Sequence, residues 1–594
     1  MFRTLAALLS LTAAPVLAQD EVRQRGPEEE VIYFVLPDRF ENGDTSNDRG
    51  GLSGGKLDHG FDPTHRGFYN GGDLAGLTKR LDYLEGLGIT AIWFAPIFKN
   101  KPVQGDTGQE SAGYHGYWVT DFTSIDPHFG TNEEFKAFVD AAHARGMKVY
   151  MDIITNHTAD VIQTKSGEYA YRSIADYPYT TRGGPDGAPI NEGFEGDQVM
   201  TADNFAKLTN PNWAYEVVVP EAEKNVKVPA WLNDPIYYHN RGNSDFFGED
   251  SLYGDFAGLD DLMTENPLVV GGMIEIFKGW IEKYGVDGFR IDTARHVNPE
   301  FWQYFAPAMT VTAEAAGIPN FTQFGEVFRD DSNPGYIAMF TRRDRFPAVL
   351  DFAFQQSVRE LLGQDAPTAV IARMFEMDAL YAGGHQMAKT LPTFLGNHDM
   401  GRFSTLIKAD RPGISQDELL QRVLLGHAMM LTLRGAPTIY YGDEQGFVGD
   451  GHDQMARENM FASRVDEYND NDLIGTDATT ADENFDTAHP IYREIAMLAN
   501  MRTSTPAFTK GDQVTRAYKD KPGLFAASRF DPVTGKEIVL LFNTSTEAIS
   551  GNVLVETRSM EFNALAGHCS PQASAPGSLA YALAPLSYAV CEAK

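Results

Sequence analysis

The sequence predicts an α/β protein: a (β/α)8 TIM barrel, interrupted after its third strand by an irregular inserted domain and followed by a C-terminal antiparallel β-sandwich. Three observations carry that prediction. Strand-like and helix-like stretches alternate at the spacing of βαβ units, which builds a parallel sheet. The alternation breaks over residues 158–250, where Gly, Pro, Asn and Asp crowd the chain. After about Asp512 it gives way to short, closely spaced strands of sandwich type.

The first eighteen residues, MFRTLAALLSLTAAPVLA, carry one Arg and then an apolar stretch ending in small residues. That is the pattern of a signal peptide, here cleaved after Ala18. The stretch is too short for a membrane span, and no later segment reaches the roughly 18 continuous apolar residues a span needs. The expectation is an exported protein, periplasmic or extracellular, with no membrane partner. Residues 19–157 then read as the first part of the barrel. VIYFVLP is its first strand, ITAIWFAPIF its second and KVYMDIITNH its third, with a helix from Leu77 to Leu87 and another in NEEFKAFVDAAHARG between them. Residues 158–250 form the insertion, because a structureless loop of that length is improbable inside a compact domain. Residues 251–508 resume the barrel with the helix PLVVGGMIEIFKGWIEKYG and the strands VDGFRI, FTQFGEV, FPAVLDF, LPTFLGN and APTIYYG. The eight strands centre near Val31, Ala91, Val149, Phe289, Phe324, Val349, Phe394 and Ile439. Residues 509–594 form the sandwich, and its Cys569 and Cys591, the only cysteines, are expected to pair in an oxidising compartment.

Lys and Arg number 49 against 82 Asp and Glu, a formal charge of −33. That balance argues against nucleic acid and anionic membranes, both of which select cationic surface. Polar residues collect after the carboxyl ends of the strands, the face that carries chemistry in a TIM barrel. Three acids stand there: Asp292 in FRIDTARH, Glu326 in FGEVF and Asp399 in LGNHDMGR. Each alone reads equally well as an ion-pair partner or a helix cap. Together, with Arg290, His398 and Arg402 beside them, they are costly unless a function needs them. Glycosidic cleavage needs such a set, one carboxylic acid to protonate the leaving oxygen and one carboxylate facing the sugar carbon. Arg290 lies two residues before Asp292 and so points the same way along the strand.

These motifs resemble the α-amylase family of glycoside hydrolases, the clan of amylases, cyclomaltodextrinases, neopullulanases and cyclodextrin glucanotransferases. DIITNH, GFRIDTARH, GEVF and FLGNHD occur in the family's order, and GYHGYW and GAPTIYYGDEQG match further segments. The resemblance implies a retaining hydrolase of α-1,4-glucosidic bonds in starch-type glucans or maltooligosaccharides, a monomer or homodimer. Asp292 would be the nucleophile, Glu326 the general acid/base and Asp399 the third carboxylate. Tyr117, His157, Arg290, Arg295, His398 and Arg402 would bind substrate; many relatives have Lys where Arg295 stands. The alternatives it leaves are a cyclomaltodextrinase- or neopullulanase-like or transglycosylating enzyme on small maltodextrins, and a non-catalytic oligosaccharide-binding protein.

ENGDTSND, residues 41–48, packs oxygen-bearing side chains into one loop, which suits a hard cation as well as it suits a series of Asx turns. The resemblance implies Ca2+ there, on Asn42, Asp44, Asn47, Asp48, the Gly71 carbonyl and Asp73. It implies a second site where the insertion joins the barrel, on Asn156, Asp261 and the His296 carbonyl. GLDDLMTENP departs from the family's usual pattern one residue before Asp261.

Overall fold

The computed structural model describes residues 21–594; the signal-peptide reading of residues 1–18 lies outside the described residues. Eight parallel strands form the central sheet. They are β1 (Ile32–Val35), β2 (Ala91–Phe94), β3 (Lys148–Ile153), β4 (Gly288–Ile291), β5 (Thr322–Gly325), β6 (Ala348–Val349), β7 (Pro392–Thr393) and β8 (Ala436–Tyr440). Neighbours follow chain order from β1 to β6, and β8 pairs with both β1 and β7. The Asp351 amide, 2.9 Å from the Pro392 carbonyl oxygen, bridges the remaining seam between β6 and β7. The result is the expected TIM barrel. Every residue of β1, β2 and β3 is buried, because helices cover the outer face and side chains fill the inner one. Strands buried on both faces are written as near-continuous apolar runs.

Helices of the outer ring start and stop on local chemistry. The run expected as one helix from Leu77 to Leu87 is two, α1 (Leu74–Lys79) and α2 (Leu81–Leu87). The break falls at Arg80, whose guanidinium is drawn to Glu41 and lies over the Phe485 ring, 3.7 Å from its centroid. In α3 (Asn132–Ala144), Thr131 and Glu134 exchange side-chain and backbone bonds in a capping box. Helix α4 (Pro267–Tyr284) has Asn266 as its N-cap, Pro at its first position and Gly285, at φ 70°, as its terminator.

The inserted domain leaves the barrel through a narrow neck. His157–Thr158 pairs antiparallel with Asp260–Asp261, which carries the insertion past the expected end at 250. Its small core gathers Tyr179, Phe194, Phe205, Leu208 and Trp213. Asp260 accepts the Val161 and Ile162 amides and pairs with Lys227 at 2.5 Å, tying the neck to the insertion's far side.

The C-terminal module is the expected sandwich. Strands β9 (Asp512–Ala517), β10 (Leu524–Phe530), β11 (Glu537–Asn543), β13 (Phe562–Ala566) and β15 (Ser587–Ala593) make one sheet, in the order β9-β10-β11-β15-β13. Strands β12 (Ile549–Leu554) and β14 (Ser578–Leu583) make the other. Alternation along β10 and β11 puts apolar residues on both faces of each strand. Leu524, Ala526, Val539 and Leu541 fill the sandwich, while Phe525, Ala527, Leu540 and Phe542 pack on the barrel's core. Cys569 and Cys591 are joined, anchoring the loop after β13 to β15. The closed loop spans 22 residues, so reduction should lower the module's stability by about 3 kcal/mol. Alkylation with mass measurement should find no free thiol until a reductant is added. Unfolding followed in reductant should then show the module losing structure earlier while the barrel's transition stays in place.

Candidate active site at the carboxyl ends of the barrel strands

Each group expected to do chemistry stands just beyond the carboxyl end of a strand: Tyr117 in the connection after β2, His157 after β3, Asp292 after β4, Glu326 after β5, and His398 and Asp399 after β7. Arg290, within β4, is their hub. Its Nη1 donates to Asp152 at 2.8 and 2.9 Å and to Asp292 Oδ1 at 2.8 Å. Its Nη2 forms an ion pair with Glu326 Oε2, also at 2.8 Å. Asp152 accepts further bonds from Trp93 Nε1 at 3.1 Å and from the Tyr117 hydroxyl at 3.2 Å. The Glu326 oxygen that meets Arg290 also accepts the Thr293 amide, at 3.2 Å. That second bond depends on Thr293 sitting in the left-handed region, φ 47°. A β-branched residue there is strained, and such strain gathers at functional sites.

Opposite this group, Asp399 is held by Arg457 Nη2 at 3.1 Å and lies 3.3 Å from His398 Nε2. His398 Nε2 also meets the Tyr117 hydroxyl at 2.8 Å. Because that hydroxyl donates to Asp152, the imidazole donates in turn from Nε2. Side-chain exposure differs in a way that separates the three carboxylates: 8% for Asp292, 12% for Glu326 and 45% for Asp399. Asp292 and Glu326 are nearly enclosed, and Asp399 is far more open to solvent.

Burial and crowding set the charges. Asp292 is pushed well above the usual carboxylate range by burial. Arg290 opposes this, while Glu326, Asp152 and Asp399 add to it. Burial also raises Asp152 to about 7 against the pull of Arg290. Asp292 and Asp152, both facing Arg290, therefore titrate as a linked pair rather than as isolated acids. Burial lowers His157 to about 3, and it lowers His398 well below its ordinary value with help from Arg457 and Arg290. Both imidazoles are therefore neutral. His157 Nε2 and His398 Nδ1 are buried without a protein partner. His157 stacks on Phe256, ring centroids 5.6 Å apart.

Arg402 is the correction. Expected at the sugar, it is fully buried beneath the site. Its Nε donates to Glu458 at 2.8 Å, and its Nη1 to the Tyr441 carbonyl at 2.8 Å and to Asp443 at 3.0 Å. The reason is local: Asn397 and Gly401 exchange two backbone bonds of 3.1 Å, and Gly401 turns at φ 101°. His398 and Asp399 form the tip of that tight loop, and the chain has already turned inward at Arg402. The guanidinium that does reach Asp399 belongs to Arg457, which the sequence reading missed. Asp152 was missed as well. Arg295 spans the cleft's edge, donating to the Phe328 carbonyl at 3.2 Å and to the Phe246 carbonyl of the inserted domain at 3.3 Å. His296 bonds Ser251 through Nδ1 at 3.0 Å and packs against Phe246 and Phe256.

The two oxygen-rich loops are differently built. In the first, Asn42 donates to Asp48 at 2.8 Å, while Asn42 Oδ1 and Asn47 Oδ1 are buried without a partner. Gly71 packs so closely that a Cβ there would lie 2.5 Å from Asn42 Nδ2 and 2.8 Å from Asp48 Oδ1. Burial and the nearby Asp38, Asp73 and Asp44 raise Asp48 to about 6. Asp73 accepts the Gly76 amide as the N-cap of α1, and also the Gly43 and Asp44 amides. Asp44 accepts the Ser46 amide at 2.9 Å. In the second, at the neck, Asn156 Oδ1 is likewise buried and unpartnered. Asp261 is bound by His239 at 2.6 Å, and that imidazole, also facing Glu265, is raised to about 10. Stranded amide oxygens next to crowded carboxylates suit a hard cation, which fits the first loop; at the neck only Asn156 Oδ1 is stranded, and Asp261 is already paired with His239.

Comparison with known proteins places this geometry. The sequence model of the family described as "Alpha amylase, catalytic domain" matches residues 34–522. The chain is 46% identical over 516 residues to an α-amylase of Streptomyces lividans, covering 87% of this chain and 55% of that protein. The chain thus spans about half the length of such curated relatives. Among solved structures, an α-amylase of Anoxybacillus superposes with a TM-score of 0.68 at 26% identity, covering 96% of this chain and 99% of the other. A cyclomaltodextrin glucanotransferase with a three-domain ABC distribution superposes with a TM-score of 0.70 at 26% identity, covering 95% and 99%.

Proposed function

The chain belongs to the α-amylase family, and from that membership and the geometry of its site we propose that it is a retaining glycoside hydrolase of α-1,4-linked glucans and maltooligosaccharides. One observation carries the reading: a single guanidinium, Arg290, holds both Asp292 and Glu326 at 2.8 Å. The bridge brings the two carboxyls together. That is compatible with the close carboxyl pair, about 5–5.5 Å, of a retaining enzyme, the mechanism of the α-amylase family. Arg290 engages Asp292 Oδ1, leaving Oδ2 to attack the anomeric carbon. Glu326 uses Oε2 on Arg290 and Thr293, leaving Oε1 to protonate the departing oxygen. The same Glu326 oxygen then takes a proton from water, whose oxygen displaces Asp292 from the covalent glycosyl-enzyme. Asp399, held by Arg457, grips sugar hydroxyls. The unpartnered nitrogens of His157 and His398 are buried hydrogen-bonding groups that a sugar can satisfy, and Tyr117 offers its ring to the sugar.

The test is the stereochemistry and pattern of products. Maltoheptaose should release products whose new reducing end is first α, seen by NMR before mutarotation. A first-formed β-anomer would overturn the retaining mechanism. Timed digests of starch, β-cyclodextrin and pullulan separate this reading from a cyclomaltodextrinase-like one, in which β-cyclodextrin is opened faster than starch is shortened. Export also belongs to the proposal. It is supported by the apolar, small-residue-ended leader and by the disulfide; among the described residues no helix is long and apolar enough to cross a membrane.

Calcium is the cofactor this reading implies. Asn42, Asp44, Asn47, Asp48, the Gly71 carbonyl and Asp73 would hold one ion. Asn156, Asp261 and the His296 carbonyl would hold the other. The ions would order the first strand-to-helix connection and the neck, and take no part in bond cleavage. A ligand bound only by the folded state at about 100 times its Kd stabilises by about 2.7 kcal/mol. A strong chelator should therefore lower Tm by several degrees, and added calcium should restore it. D44A should lower Tm alone, whereas N156A, beside His157, should lower both Tm and activity. Dialysed protein free of calcium, melting alike with and without chelator, would leave both loops as Asx turns.

A further inference from the structure

We propose a second glucan-binding site on the outside of the barrel, where α4 meets the base of the inserted domain. This rests on the reading of the chain as a glucan hydrolase and adds a place where a polymeric substrate is held away from the active site.

A cavity of about 390 Å³ opens there, within the range of small-molecule sites, about 300–1,000 Å³. Its floor is one face of α4, since Gly272, Ile276, Gly279 and Lys283 follow one another at helical spacing. Its walls are aromatic. Trp231, from the inserted domain, lies so close to the helix that a Cβ on Gly272 would come within 2.5 Å of its ring. Tyr284 stands at the other end, backed by Trp280 at 4.7 Å between centroids. Trp280 is itself locked by a 2.8 Å bond to the Phe122 carbonyl. Both walls are therefore fixed before any ligand arrives.

Two glycines of α4 line the cavity. A glycine inside a helix is less favourable than alanine. For Gly272 the packing of Trp231 explains it. For Gly279 nothing in the protein lies within 4 Å of where a Cβ would be, as is also true of the exposed Gly271 outside the lining, so the space above Gly279 is free to receive a ligand or a larger side chain. The rim carries Glu275 and Lys283, both exposed, on the same helix face. Flat apolar walls with one acceptor and one donor at the edge match a neutral sugar chain, whose ring faces are apolar and whose edges carry hydroxyls. Glu275 pairs with Lys278 at 3.0 Å, and the chain's net charge of −33 disfavours phosphates and other anions. The helix leads into β4, whose carboxyl end carries Asp292, while the cavity faces outward from the ring. The active site and the cavity can thus be filled at the same time, by one long chain or by two.

Filling the cavity tests this without removing any contact: Gly279→Leu places a side chain into open space and raises helix propensity. Affinity electrophoresis in amylopectin gels should show weaker retardation of G279L and of W231A than of wild type. The KM of G279L for amylose should rise roughly three- to tenfold, the gain a second tethered contact supplies at low effective concentration. Its kcat/KM on a nitrophenyl maltoside too short to span both sites should stay at the wild-type value. Equal retardation and equal KM for wild type, W231A and G279L would overturn the proposal. A wild type that is retarded by amylopectin yet hydrolyses neither substrate would sink the catalytic reading instead, and G279L would still decide the cavity by retardation alone.

Discussion

Replacing Asp292 by Asn is expected to lower kcat on maltoheptaose by roughly 10⁴-fold or more, as removal of a covalent nucleophile does, while the protein folds and still binds substrate. The asparagine keeps the shape of the side chain, and its carbonyl oxygen can still accept from Arg290 Nη1, which now donates at 2.8 Å to Asp292 and to Asp152. What is lost is the negative charge that attacks the sugar carbon. The guanidinium keeps its pairs with Asp152 and Glu326, so no charge is left buried alone, and Tm should stay close to wild type. Calorimetry should find maltoheptaose bound by D292N with an affinity near the wild-type KM. Mass spectrometry should find no glycosyl-enzyme under conditions that trap one in wild type with a slow substrate. Turnover of D292N within tenfold of wild type would remove Asp292 from the mechanism.

The site was legible to different depths at different residues. Asp292 and Glu326 stand one residue beyond apolar strand runs, and burial on both faces makes such runs easy to read. Arg290 followed from the period of two along β4. By the same logic Asp152 was within reach: it is an acid inside the apolar run KVYMDI, and it sits beside Arg290 in the β3–β4 register. That Arg402 turns inward and Arg457 meets Asp399 was not legible. Which arginine meets Asp399 depends on the loop closed between Asn397 and Gly401, and on the path of the long segment after β8, where no periodicity marks direction. A charge near an acid in sequence says little when one tight turn can point it inward. The insertion's end shows the same limit: the pairing of Asp260–Asp261 with His157–Thr158 joins residues far apart in the chain through two residues per strand, too few for a pattern. The helix break at Arg80 depends on Glu41 and Phe485, partners that no window around Leu77 contains.

Replacing Glu326 by Gln should give a loss that depends on the leaving group. Gln can accept the Thr293 amide as Glu326 does at 3.2 Å, so the loop after β4 should hold its conformation. It can neither donate an acidic proton nor take one from water. On maltoheptaose, where the departing oxygen is a poor leaving group, kcat should fall roughly 10²- to 10⁴-fold, the usual worth of a general acid. On a dinitrophenyl maltoside the first step needs no proton, so attack by Asp292 should proceed near its wild-type rate. The second step still lacks its base. The glycosyl-enzyme on Asp292 should therefore build up, visible as a burst of dinitrophenolate followed by a slow steady rate. Azide, which attacks without giving up a proton, should then release the sugar as the α-glycosyl azide, restore the Asp292 carboxylate and raise the steady rate. D399N offers the contrast, because a residue that grips hydroxyls should slow both substrates alike and gain nothing from azide. An equal loss of E326Q on both substrates, with no burst and no response to azide, would mean that the proton comes from another group around Arg290.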